Sequence, residues 1–255
     1  MASPFLPDPQ LVHVPAPTWA SFGRPVLATT IGLFFVDVFL QKCVFPASAM
    51  VKYEGCVLWS YMVSLLYQAI VFLPLGFLIW RDYGYSLTAV GNDTTWDTPT
   101  SPWVVTHAIM FTAYMLRDLV NLGWDKADIM LHHVLVAALS TWSIMEPSAP
   151  AAHFHVTGSI LEVGSLTLNL THLSTYFLGA TNTVAWIHFA NMIAFFLTHS
   201  IGAYFCYQLW FVNPDVAMPY RFFVTGTGIG VMLLRQIIVV GNWREVRQVV
   251  ETKTK

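Results

Sequence analysis

The stretch from Asp128 to Trp142, DIMLHHVLVAALSTW, decides how this chain is read. Its apolar run is long enough to belong to a membrane helix. Yet His132 and His133 stand side by side near its start, one helical turn after Asp128. Ionisable side chains cost roughly 2.5–3.5 kcal/mol each at mid-helix in a bilayer, so they normally face protein and not lipid. Two adjacent histidines in such a place ask for partners on other helices.

The rest of the chain supplies them. Hydrophobic residues make up 56% of the 255 residues and charged residues only 10%, where a soluble domain carries about 25% charged. That balance, with several apolar runs near 20 residues, predicts a polytopic membrane protein. Spanning segments of this length must be helical, because hydrocarbon satisfies no backbone hydrogen bonds. Seven spans are expected, at about 25–41, 57–80, 102–121, 128–146, 151–178, 183–211 and 217–240. The fold class is all-α. The net charge of −2 and the lack of a basic block argue against nucleic acid. Cys43, Cys56 and Cys206 have neither the spacing of a zinc site nor that of a disulfide framework. Neither metal nor cofactor is expected.

Residues 1–24 read as a Pro-rich tail, with five prolines in the first 17 positions and no basic region of the signal-peptide kind. Residues 246–255 read as a basic C-terminal tail. With seven spans and the N-terminus outside, the inner segments hold Lys42, Lys52, Lys126, Arg244, Arg247, Lys253 and Lys255, against Arg24, Arg81 and Arg221 outside. That bias places the C-terminus in the cytosol. The acceptor pattern Asn92-Asp93-Thr94 then falls in an exterior or lumenal loop, where glycosylation takes place.

Polar residues recur at helical spacing in most of the spans. The third carries His107, Tyr114, Arg117 and Asp118. The fifth carries Glu162, Ser165, Asn169 and His172 at intervals of three and four. The sixth carries His188, Asn191 and His199, and the seventh Arg235 and Gln236. Residues three or four apart share one helix face. Facing these stripes inward makes a shared polar chamber. Plainer roles compete at each position. Lone histidines bond neighbouring helices, Asp128 caps its helix, Arg117 and Asp118 form an ion pair at a helix end, and Asn169 binds one helix to the next. The adjacent pair is harder to explain this way. Neighbouring positions point about 100° apart, so His132 and His133 cannot share one environment.

The arrangement resembles the TLC-domain family, which includes ceramide synthases, translocon-associated TRAM proteins and smaller lipid-related membrane proteins. Asp128, His132 and His133 match an acidic residue one turn before a His-His pair. Glu162, Ser165 and Asn169 in SILEVGSLTLNLTHL are similar to the next polar span of the smaller members, where ceramide synthases prefer aspartates. The resemblance covers residues 55–245. It implies six helices in a barrel of two inverted three-helix units, about 57–146 and 151–240, around a lipid-sized cavity, with residues 25–41 as an additional first helix. It also implies an endoplasmic reticulum membrane, the plasma membrane being the alternative.

Two functions follow as expectations. In one, the protein binds a membrane lipid or acyl chain in the cavity and acts in lipid metabolism or homeostasis, as a monomer or a homodimer. In the other, it is an N-acyltransferase moving an acyl chain from acyl-CoA to a sphingoid base. His132 and His133 would then serve as base or nucleophile, oriented by Asp128 or Glu162. A di-iron hydroxylase needs HxxxH and HxxHH clusters, which this sequence lacks. A transporter would show paired breaks in its helices, and none is evident.

Overall fold

The computed structural model describes residues 11–12, 15, 17–53, 56–87, 90, 100–121, 127–146, 149–212 and 215–253, with only the backbone at 127–129. The protein is an all-α polytopic membrane protein. Its helices are α1 (Trp19–Val44), α2 (Leu58–Asp82), α3 (Trp103–Asn121), α4 (Ala127–Met145), α5 (Ala151–Leu178), α6 (Asn182–Phe211) and α7 (Met218–Lys253). A two-stranded antiparallel ribbon, Lys52–Tyr53 with Cys56–Val57, leads into α2.

The first helix starts earlier than the sequence suggests. Thr18 is its N-cap, and Thr18 and Ser21 satisfy each other's backbone N–H in a capping box. Pro25, which looks like a boundary, lies inside the helix. At the far end, α7 runs on to Lys253, so most of the basic tail is helical and carries an Arg247–Glu251 pair one turn apart. Both α1 and α2 contain a π-helical turn, at Leu40–Val44 and Gln68–Phe72.

Six helices close into a ring. α2 packs on α3 and on α5, α3 on α4, α5 on α6, α6 on α7, and α7 returns to α4. The ring therefore consists of two three-helix units, α2–α4 and α5–α7. A unit of three crossings ends on the side opposite its start, so the second unit is inverted relative to the first. α1 stands outside the ring against α3, and α5 also touches α3 and α4.

Four described helices, α1, α2, α6 and α7, are long and apolar enough to cross a membrane by composition alone, and the apolar part of α4, Met130–Met145, is shorter. This is fewer than the seven spans expected. The shortfall has a physical cause. α3 and α5 carry His107, Arg117, Asp118, His153, His155 and Glu162, all buried. Their hydropathy is lowered by side chains that never meet lipid. The 19 residues of α3 rise about 28 Å, close to the ~30 Å of a hydrocarbon core.

The molecule is inverted relative to a soluble protein. Its outer surface carries Phe35, Ile70, Trp186, Phe196, Phe211 and Ile237, while Arg117, His107, His155 and Gln208 are fully enclosed. The two units approach closely at Gly76 of α2. A Cβ there would lie 2.2 Å from the Cβ and Oγ of Ser159 on α5. Gly76→Ala is expected to force α2 off α5 at a cost of about 1–3 kcal/mol. A lowered midpoint of thermal unfolding in detergent would register it, and an unchanged midpoint would remove this account of the α2–α5 contact.

Candidate functional site

A cavity of about 460 Å³ lies within the ring, walled by α2, α3, α4, α5 and α7. A second, of about 110 Å³, extends deeper among α4, α5, α6 and α7. His132, Glu162, Val231 and Arg235 line both, so they form the partition between them. The larger cavity takes its polar groups from the halves of the helices near the α3–α4 connection. The smaller takes Leu139, Phe154, Phe205 and Val224 from the other halves.

Behind the wall of the larger cavity lies a buried ion cluster. Arg117 Nε and Nη2 donate to Asp37 on α1, at 2.5 and 2.7 Å, and Nη1 donates to the Asp118 carboxylate. Asn121 Nδ2 adds a 2.8 Å bond to Asp37. The guanidinium carbon also sits 5.6 Å from the ring centres of Trp59 and Tyr67. A guanidinium has five N–H donors in a fixed plane, which suits it to hold two carboxylates at once. Arg117 thus lies outside the cavity, contrary to expectation, because its charge is fully engaged with α1 and Asp118.

Asp118 is the outlet of that cluster. Its other oxygen lies 3.2 Å from His133 Nε2, and both residues line the cavity. Among the described residues, a carboxylate that stands beside His133 is Asp118, from the preceding helix. The side chain of Asp128 lies outside the described residues, as do Lys126 and Asn92. His132 takes a different set of partners. Its Nε2 accepts a 3.0 Å hydrogen bond from Arg235 Nη2, and Arg235 Nη1 donates to Ser165 Oγ at 2.9 Å. The two imidazoles stand with planes 80° apart and centres 5.4 Å apart. Adjacent helix positions diverge by about 100°, and here one ring turns to α3 and the other to α7.

Glu162 is held by a residue that the sequence reading passed over. Gln68 Nε2 donates to Glu162 at 2.8 Å, and Gln68 Oε1 accepts from Asn169 Nδ2 at 2.9 Å. Gln68 opens the π-helical turn of α2, and such turns often mark functional sites. His172 closes the same end of the cavity, stacked on Tyr61 with ring centres 4.8 Å apart. Tyr114 lines the cavity between Arg117 and Phe72.

Four more expected cavity residues fall elsewhere or deeper. His107 is buried between α3 and α5, with Nδ1 3.0 Å from His155 Nδ1 and Nε2 2.6 Å from Ser159 Oγ. Ser143 Oγ reaches His155 Nε2 at 3.2 Å. These bonds join α3, α4 and α5 and leave no side of His107 on the cavity. His188 and Asn191 serve the α5–α6 contact, where Thr175 Oγ1 lies 2.9 Å from His188 Nε2 and Thr167 Oγ1 donates to Asn191 Oδ1 at 2.7 Å. His199 lines the smaller cavity, edge-on to Phe195.

The signal for Gln68 and Asp37 was present in the sequence. Asp37 is a lone charged residue in an apolar run and Gln68 follows Ser60 and Ser64 at helical spacing, so the rules applied to the histidines and the stripes apply to them. His155 and Ser159 could be read the same way. Among the described residues, no group of three or more His, Cys, Asp or Glu is arranged to hold a metal ion. Compared with protein families, with characterised proteins and with solved structures, the chain matches none.

Removing Arg117 would leave two buried carboxylates without their cation. Arg117→Met is expected to cost about 3–5 kcal/mol. Combined with Asp37→Leu, it should cost clearly less than the sum of the two single changes, because the pair fails together. Additive losses in detergent unfolding would show that Asp37 and Arg117 act independently.

Proposed function

We propose that this chain is a TLC-domain-type membrane protein that holds a lipid in the intramembrane cavity and acts in lipid metabolism or membrane lipid homeostasis. One observation carries the reading. Leu131 on α4 and Leu234 and Ile238 on α7 line the larger cavity and also face outward, at 59%, 51% and 40% exposure. The inner wall is thus continuous with the lipid-facing surface between two helices that touch only lightly. A cavity of this size and apolar rim, with a few polar groups at one depth, suits an amphiphile. Its chain lies along the leucines and its head meets Glu162, His132 and Arg235. The endoplasmic reticulum is the membrane in which such activity belongs.

The second reading is the acyl-CoA-dependent N-acyltransferase, and the Asp118–His133 pair favours it. A carboxylate bonded to one imidazole nitrogen fixes the tautomer and supports the ring when it takes a proton. His133 would then accept the proton of the sphingoid-base amine as its nitrogen bonds to the thioester carbonyl carbon, and would return that proton to the CoA sulfur as the C–S bond breaks, with Glu162 and Arg235 steadying the charges that form. The first reading needs only the cavity. The second needs the cavity and that pair.

Native mass spectrometry of the purified protein separates the two. A lipid bound in one-to-one ratio is the expected result. Leu168 of α5 lines the cavity and is half-buried, so Leu168→Trp should take up part of the space and lower the lipid load, with thermal unfolding measured alongside to confirm the fold. A lipid load unaffected by that substitution would place the lipid outside the cavity and defeat the proposal. For the second reading, incubation with acyl-CoA and a sphingoid base should give turnover that His133→Ala and Asp118→Asn abolish. Full turnover in both variants would remove it.

A further inference from the structure

The histidine pair divides its chemistry between two partners, and the division has a consequence for the ligand. Arg235 can only donate, so His132 Nε2 must be the acceptor in their 3.0 Å bond. A neutral His132 then carries its proton on Nδ1. That nitrogen is buried and has no hydrogen-bond partner among the described residues. It belongs to a residue on the partition between the two cavities. A buried N–H without an acceptor is costly, and native structures keep few of them. Arg235 stands beside it, with Ser165 and His132 taking one N–H each of its five.

We infer that His132 Nδ1–H and Arg235 together receive a carbonyl oxygen of an acyl lipid, so that His132 is a donor to the ligand and not the nucleophile of the pair. The inference rests on the lipid-binding reading above and specifies the chemistry of that same site. A carbonyl is an acceptor only, which matches two donors. It sits where a polar linkage meets a hydrocarbon chain, which matches a partition between a larger chamber that holds several polar groups and a smaller, more apolar one. Glu162 stands on the same partition, with its Oε2 accepting from Gln68. His133, bonded through Nε2 to Asp118, takes no part in this contact.

The test uses the full chain in detergent, freed of excess lipid. One sample is loaded with phosphatidylcholine carrying carbon-13 at the palmitoyl carbonyl, and a parallel sample with the same label in palmitoyl-CoA. The two probes separate an ester from a thioester as source of the carbonyl. With at least one of them, infrared difference spectra of the wild-type protein should show the labelled carbonyl moved to lower wavenumber. His132→Phe should lose a large part of that shift while retaining ligand, the remainder being due to Arg235. His132→Asn, whose amide nitrogen falls near the position of Nδ1, should keep it. A second measurement needs no substitution. In protein labelled with nitrogen-15 histidine, the Nδ1–H resonance of His132 should move downfield on loading. Bound ligand with an unshifted carbonyl, a shift unchanged in His132→Phe, or an unmoved Nδ1–H resonance overturns this inference alone. Failure of the wild-type protein to retain either probe overturns the lipid-binding reading as well.

Discussion

Water is missing from the interior of a bilayer, and the whole arrangement answers that absence. A guanidinium or carboxylate placed there must find its counter-group on another helix, since none is available from the solvent. Arg117 meets this demand by joining α3 to α1 through Asp37 and then handing its remaining capacity to Asp118. Asp118 in turn reaches α4 through His133. Three helices are connected through charge before any apolar packing is considered. The same logic runs from α7 to α4 and α5 through Arg235, and from α2 to α5 through Gln68. The cavity lies where these chains of bonds approach one another, so the forces that hold the fold also furnish the site.

α5 has the central part. It touches α2, α3, α4 and α6, and it carries His155, Ser159, Glu162, Ser165, Thr167 and Asn169, each bonded to another helix. Gly76 lets α2 come close to it, and Gly164 faces Phe195 of α6 at 3.3 Å from a would-be Cβ. Small residues at helix contacts let backbones approach where lipid gives no hydrophobic drive to associate. A helix so enclosed has no need to be apolar, and α5 is polar on several sides.

The sequence reveals the helices well and the pairings poorly. Apolar runs and their breaks locate all seven helices to within a few residues over most of their length, because length and composition are local properties. The ends that differ, Thr18 and Lys253, depend on a cap and on helical continuation beyond the apolar window. The stripes on α3 and α5 indicate an inward face, and the divergence of His132 from His133 follows from helix geometry. Which carboxylate meets which imidazole does not follow. Asp118 and His133 are close only because α3 and α4 form a hairpin of a particular register, and no spacing in the sequence encodes that register. Asp37 and Gln68 show the opposite failure. Asp37 stands alone in its apolar run, and Gln68 ends a stripe whose other members, Ser60 and Ser64, are small and uncharged and draw little attention.

The bond between Asp37 and Arg117 spans 80 residues of chain, and that separation bears on biogenesis. During synthesis α1 emerges from the ribosome long before α3. Its aspartate would enter lipid unaccompanied, at about 2.5–3.5 kcal/mol if placed mid-bilayer. The first helix is thus poorly suited to leave the insertion machinery early. Its release is best delayed until α3 brings the arginine, so that the two partition sideways as a neutralised couple. On this view the helix outside the ring is among the last to settle, although it is made well before its partner α3.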